Sequence, residues 1–285
     1  MHLDPCATLA NMAAIPDRLM RDAMATDAQS EASPQPLSET WIVLPGLAET
    51  PDEFGRVLEL LPGLDVRVVD PWLTPVTSPP EELRSASGAG TPVRLVGHSI
   101  GGLAALRWML TYPGEVERLV LVDTSLPSET GWRWFYPGAR GDRLIRSVLR
   151  VLGRIGTPQL FGPGVRRLLI WVGSTANRDL LPKATARSRY GAADSWLRFW
   201  HELTWSWLLA AEVATLLARP GLAIPPTALL VATGGSSRFT AARWLAGQQS
   251  LAAALNATIQ VYPDSAHLLH LDRPDAIAHA ITPPR

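Results

Sequence analysis

Cysteine is nearly missing from this chain of 285 residues: Cys6 stands alone. That excludes an internal disulfide and a thiolate metal cage, and with them any sequence argument for an oxidising compartment. Net charge is missing too, since 26 basic side chains face 26 acidic ones, and nothing in that balance favours a polyanion such as nucleic acid. No stretch reaches the ~20 consecutive apolar residues of a membrane span. The start, Met1-His2-Leu3-Asp4-Pro5, has neither the basic n-region nor the apolar run of a secretory signal, so the expectation is a soluble, cytoplasmic protein. Also absent are a Gly-rich phosphate loop with its Lys, a His-Glu-x-x-His or paired-cysteine metal pattern, and a dinucleotide fingerprint. The chemistry expected is free of metal and cofactor.

What is present suffices for a full hydrophobic core, with 47% hydrophobic and 18% charged residues. Residues 1–40 mix short apolar groups with Asp, Ser and Pro and end in Ser30-Glu31-Ala32-Ser33-Pro34-Gln35-Pro36. They read as an N-terminal leader or linker of disorder-prone composition, in which Met12, Met20 and Met24 offer alternative starts. From Trp41 the texture changes. Trp41-Ile42-Val43-Leu44, Val66-Arg67-Val68-Val69, Val93-Arg94-Leu95-Val96 and Leu119-Val120-Leu121-Val122 read as buried strands, with helices expected from Pro51 to Leu61 and from Leu103 to Thr111. The same alternation returns in Ala228-Leu229-Leu230-Val231, a helix from Thr240 to Leu255, Thr258-Ile259-Gln260-Val261-Tyr262 and a last helix from Pro274. Strands alternating with helices imply an α/β fold with a mostly parallel sheet. The segment between, 126–222, has helical periodicity instead: Leu144, Ile145, Val148, Leu152 and Ile155 share one face, and Arg143, Arg146, Arg150 and Arg154 another. It is expected to be a helical cap inserted into a catalytic domain made of 41–125 and 223–285.

A serine hydroxyl is a poor nucleophile at neutral pH and must be held exposed beside a base, with donors ready for the oxyanion it creates. Gly97-His98-Ser99-Ile100-Gly101 follows an apolar strand and opens a helix. Its glycines stand two residues either side of Ser99, where side chains would clash in a tight strand-to-helix turn.

Over 41–125 and 223–282 the sequence resembles the α/β-hydrolase family, in which this elbow ends the central strand. The resemblance implies a serine hydrolase with Ser99 as nucleophile and the backbone N–H of Ile100 as first oxyanion donor. Pro45-Gly46-Leu47 stands where the family's second donor loop lies, usually marked by a His-Gly pair, and implies the N–H of Leu47. Asp264-Ser265-Ala266-His267-Leu268-Leu269-His270 resembles the family's histidine loop before its final helix, with Ala266 in place of the usual Gly. It implies His267 as base and leaves His270 as the rival; His98, beside the nucleophile, faces away from it in this turn type.

The acid is missing from its usual place. After the penultimate strand comes Thr233-Gly234-Gly235-Ser236-Ser237-Arg238, where Ser237 occupies the expected position of the Asp. A serine hydroxyl can bond an imidazole but cannot stabilise imidazolium by charge. Some branches of the family, including certain haloalkane dehalogenases and pancreatic-type lipases, carry the acid after the sixth strand. Leu121-Val122-Asp123-Thr124 puts Asp123 at the corresponding strand end, so Asp123 is the expected acid, while in other relatives an Asp here only bonds loop amides. Asp264 is read as a turn residue.

Residues 126–222 hold 14 Arg or Lys against 6 Asp or Glu, so the expected cap carries about +8 and the remainder about −8. Two readings stand: attraction of a substrate carboxylate or an acidic membrane surface, or a solvated helix face with arginines paired to the acidic remainder. The segment also holds Trp132, Trp134, Trp171, Trp196, Trp200, Trp205 and Trp207, with Phe135, Tyr136 and Phe199, divided between an apolar pocket and helix packing. The function expected is hydrolysis of a carboxylic ester of a small, apolar or aromatic acyl substrate. Thioester, amide or carbon–carbon bond hydrolysis and acyl transfer use the same residues, and a non-catalytic binding protein is the reading from another class.

Overall fold

The computed structural model describes residues 40–282, without the side chains of Ser236 and Ser237. The expected leader, its alternative starts and Cys6 lie outside the described residues. Six strands, β1 (Trp41–Leu44), β2 (Val66–Val68), β3 (Val93–His98), β4 (Val116–Val122), β5 (Thr227–Ala232) and β6 (Thr258–Tyr262), form one parallel sheet in the order β2-β1-β3-β4-β5-β6.

Alternation of side chains across each strand sorts the core into two layers. Ile42, Leu44, Leu95, Leu119, Leu121 and Leu229 face one layer; Trp41, Val43, Val96, Val120, Val122 and Leu230 face the other. Covered on both sides, β1, β4 and β5 are the continuous apolar runs seen in the sequence. The edge strand β6 is largely exposed and alternates instead, as Thr258-Ile259-Gln260-Val261-Tyr262.

The first layer is covered by α2 (Pro80–Ser87), α3 (Ile100–Thr111) and α8 (Ala241–Ala254); the second by a 3-10 turn at Pro51–Phe54, α1 (Gly55–Glu59), α9 (Leu269–Asp272) and α10 (Pro274–Ile281). Between β4 and β5 the chain makes a helical insertion of α4 (Arg140–Arg154), α5 (Thr157–Gly173), α6 (Lys183–Tyr190) and α7 (Ser195–Leu217). The far half of α7 returns to the main core, where Leu209, Ala210 and Val213 pack in the layer that holds α3. Among the described residues no helix is long and apolar enough to cross a membrane.

Candidate active site

Because β3 ends at His98 and α3 begins at Ile100, Ser99 alone makes the turn between them. Its backbone sits at φ 52°, ψ −122°, a conformation that costs an L-residue energy and persists only where the surroundings impose it. Two glycines let the chain pass. A Cβ on Gly97 would stand 2.6 Å from the Gly101 carbonyl oxygen, and one on Gly101 would overlap the carbonyls of Leu44 and Pro45. The Ser99 carbonyl accepts from the amides of Gly102 and Ser125, both at 3.0 Å, which pins the elbow to the loop after β4.

The turn after β6 carries His267. Its Nε2 lies 3.0 Å from Ser99 Oγ and its Nδ1 2.6 Å from Asp123 Oδ2. A carboxylate at Nδ1 assigns the proton to that nitrogen, so Nε2 turns a lone pair to the serine hydroxyl. Asp123 follows the last residue of β4 at φ 41°, the left-handed region that Asp tolerates better than most residues. Its other oxygen, Oδ1, accepts from the Ala232 amide at 2.9 Å and the Trp244 indole at 2.8 Å. Ala232 ends β5, the strand after which the sequence lacks its acid. The neighbouring strand end thus sends an amide to Asp123; the side chain of Ser237 lies outside the described residues. Asp264 is exposed and pairs with Arg273 at 3.1 Å. His270 is fully buried and stacks on Phe54 with ring centroids 4.5 Å apart; it makes no contact with Ser99.

Beneath this cluster lies a buried pair that sequence reasoning missed. His98 Nε2 donates to the carbonyl oxygen of His267 at 2.9 Å, while Nδ1 meets Glu49 Oε1 at 2.6 Å, with side-chain exposures of 0% and 6%. Glu49 Oε2 accepts from the Gly46 amide at 2.6 Å. Burial favours a neutral Glu49, but the charges of His98 and His270 and the bonds from His98 and Gly46 outweigh it and hold the carboxyl well below its usual range. Burial likewise opposes charge on His98, and Glu49 with the His267 carbonyl overcomes it, raising the pKa. Both shifts run toward charge on the two partners. Glu49, His98 and His270 bring three donor atoms within 4.8 Å of one another. A zinc ion between a nitrogen and an oxygen at ~2.0–2.1 Å from each needs more room than the direct Glu49–His98 contact leaves, so this arrangement is an ion pair rather than a cation cage.

Ile100 opens α3, where the first amides have no acceptor within the helix. Leu47 lines a cleft of about 340 Å³ with Ser99, Leu169, Val172, Phe199 and His267. A second cavity of about 340 Å³, apolar on nearly all sides, adjoins it under the insertion and includes Ile145, Leu149, Val165, Trp196 and Trp200. Leu169, Tyr190 and Phe199 border both. A larger hollow of about 700 Å³ around Arg219, Pro226 and Asn256 sits at the start of β5, at the sheet end away from Ser99. Ligands of parallel sheets bind at the other end.

The arginines of the insertion divide. Arg166 is buried and bridges Glu53 at 3.0 Å and, within the insertion, Asp179 at 2.7 Å, and Arg189 holds Asp70 at 2.6 Å; Glu53 and Asp70 belong to the acidic remainder. The outer arginines of α4 make no such pair among the described residues. The tryptophans divide as well. Trp196 and Trp200 line the second cavity and Trp200 meets Trp207 edge-on at 6.2 Å, whereas Trp132 and Trp171 are 75% and 65% exposed.

A parallel sheet with a strained serine at the end of a central strand, faced by histidine and carboxylate, defines a hydrolase architecture. The model of the alpha/beta hydrolase family matches residues 40–280, and the chain belongs to that family. No curated protein matches it. Among solved structures it is similar to an α/β-hydrolase-fold protein of Burkholderia ambifaria, at 15% identity over 87% of this chain and 91% of that one, with a TM-score of 0.62. It is also similar to the N-formylmaleamic acid deformylase of Pseudomonas putida (18% identity, 86% and 92% covered, TM-score 0.54). A haloalkane dehalogenase loop variant from Bradyrhizobium elkanii matches at 15% identity, with 86% and 88% covered and a TM-score of 0.56. At these identities the likeness is one of fold.

Proposed function

We propose that this α/β hydrolase cleaves carboxylic esters with an apolar or aromatic acyl group, through an acyl-enzyme on Ser99. The observation that supports it is the continuous line from Ser99 Oγ to His267 Nε2 at 3.0 Å and from His267 Nδ1 to Asp123 Oδ2 at 2.6 Å. As Ser99 Oγ attacks the ester carbonyl, Nε2 takes its proton and Asp123 stabilises the resulting imidazolium. The carbonyl oxygen becomes an oxyanion facing the amides of Ile100 and Leu47. Collapse breaks the bond to the leaving alcohol, which receives the proton from Nε2. Water then repeats the sequence: it gives a proton to Nε2, attacks the acyl carbon and releases the acid, and the proton returns to Ser99.

The apolar lining of the second cavity supports the acyl preference, since an apolar chain gains about 0.8 kcal/mol per buried methylene there. The deformylase among the structural relatives keeps amide hydrolysis as the alternative bond. Labelling by a fluorophosphonate probe, lost in Ser99→Ala, together with turnover of nitrophenyl esters and anilides, tests both points. Absence of labelling in folded protein defeats the hydrolase reading; faster anilide than ester cleavage moves the bond type to amide.

A further inference from the structure

Helices α4 and α5 form a hairpin through Gly156, which takes the left-handed conformation at φ 80°. Its inner side lines the apolar cavity through Ile145, Leu149 and Val165. Its outer side is apolar too: Leu144 is 62%, Val151 54% and Ile155 68% exposed on α4, and Leu160 76%, Phe161 58% and Trp171 65% on α5. Leu144, Val148, Val151 and Ile155 of α4 recur at three- and four-residue spacing and so share one face, and an exposed apolar face of this kind marks an interaction site. On α4 the helical repeat sets Arg140, Arg143, Arg150 and Arg154 in a strip alongside the exposed apolar one.

Charge selects the partner. Residues 140–173 hold seven arginines and one carboxylate, Asp142. Asp142 is buried against Arg146 at 2.8 Å, and Arg166 is bound to Glu53 and Asp179. The other five, Arg140, Arg143, Arg150, Arg154 and Arg167, are exposed and have no carboxylate partner among the described residues. A second copy in a two-fold contact would cover the apolar strip but bring the five arginines no carboxylate, since Asp142 is the only one in 140–173 and is already bound to Arg146. A nucleic acid would satisfy the arginines and leave the apolar strip in water. An anionic bilayer surface accepts both, apolar side chains entering below the headgroups and guanidinium groups lying among them.

We propose that the α4–α5 hairpin seats this protein on anionic lipid bilayers and feeds the Ser99 cleft with an amphiphilic acyl substrate from the leaflet. The first half stands on the surface alone; the second rests on the ester-hydrolase reading. The two are joined by Leu169 and Val172, which are 47% and 44% exposed on α5 and also line the cleft beside Ser99.

The test is flotation of full-length Ser99→Ala protein with vesicles of phosphatidylcholine alone or mixed with phosphatidylglycerol. Expected is binding to the mixed vesicles that is about tenfold or more weaker on phosphatidylcholine and falls as salt rises. Leu144→Glu with Ile155→Glu, and separately Arg150→Glu with Arg154→Glu, each lower it about tenfold or more, while the same changes in the Ser99 protein leave hydrolysis of a short water-soluble ester unaltered. Folded protein that does not float, or floats equally well with both sets of changes, overturns the proposal. So does a dimer in light scattering that Leu144→Glu with Ile155→Glu dissociates, which assigns the face to a second copy. Flotation without any ester turnover by the Ser99 protein removes the hydrolase reading and leaves the surface standing.

Discussion

His98, the residue before the serine elbow, donates through Nε2 to the backbone carbonyl of His267 at 2.9 Å. One side chain thereby ties the loop of the proposed base to the strand of the proposed nucleophile, and Glu49 fixes that side chain in turn. Glu49→Gln is expected to lower kcat about 100-fold with KM little changed, since a base displaced by a fraction of an ångström loses alignment rather than substrate affinity. Fluorophosphonate labelling slows in parallel. A purely structural role would lower stability without changing kcat of the folded fraction.

The same pair predicts a pH window. Glu49 has a lowered value, so its contribution to stability is present above the ordinary 4.5 and is lost as pH falls through the folded value. The raised value of His98 makes its contribution complete below 6.5, to be lost as pH rises through the folded value. The difference in Tm between wild type and Glu49→Gln is therefore expected to be greatest between pH 4.5 and 6.5. A difference that does not vary with pH removes the charged pair.

Asp123→Asn leaves an oxygen for the Ala232 amide and the Trp244 indole but turns an amide group toward His267 Nδ1. The wrong imidazole tautomer follows, and kcat is expected to fall about 10⁴-fold with folding retained, as measured by turnover and circular dichroism. Trp244→Phe removes one of the bonds to Oδ1, and a loss nearer tenfold is expected.

Glu202 on α7 accepts the Val76 amide at 2.8 Å. Burial pushes its carboxyl up from 4.5 to about 7, against the bond from Val76 and with the added repulsion of Glu49. Neutral in the folded state, it favours folding fully below 4.5, and that advantage is lost as pH rises toward 7. Across that interval wild type is expected to lose roughly 3 kcal/mol relative to Glu202→Gln in denaturant titrations. Parallel stability curves would show that Glu202 titrates normally.

Phe199 borders both cavities. Phe199→Ala opens the passage between them and is expected to raise kcat/KM for long-chain over short-chain esters about tenfold, a shift worth one or two methylenes of pocket contact. An unchanged chain-length profile places the acyl group elsewhere.

The sheet was legible because strands covered on both faces must be apolar throughout, and the runs at Trp41, Leu95, Leu119 and Leu229 have no other use. Ser99 was legible because a tight turn demands its glycines. The Glu49–His98 pair was not: a loop residue after β1 and the last residue of β3 meet only once the sheet has formed, and neither belongs to a repeat. For α4 the periodicity revealed an apolar and a basic strip without saying which meets water. Ile145 and Leu149 turn inward, whereas Leu144 and Ile155 turn out. Nor could net charge separate Arg166 and Arg189, which pair with Glu53 and Asp70, from Arg150 and Arg154, which do not.

Asp123 stands just past the end of β4, and what β5 lends it is the amide of Ala232. A backbone amide is supplied by any residue but proline, so the bond to Oδ1 asks of β5 the position of residue 232 and not its side chain. The turn that follows is bound to geometry instead: the Gly234 amide donates to the Ser265 carbonyl at 2.7 Å and a Cβ on Gly235 would stand 2.8 Å from that of Ala266, so an insertion there would push on the loop of His267 before it reached solvent.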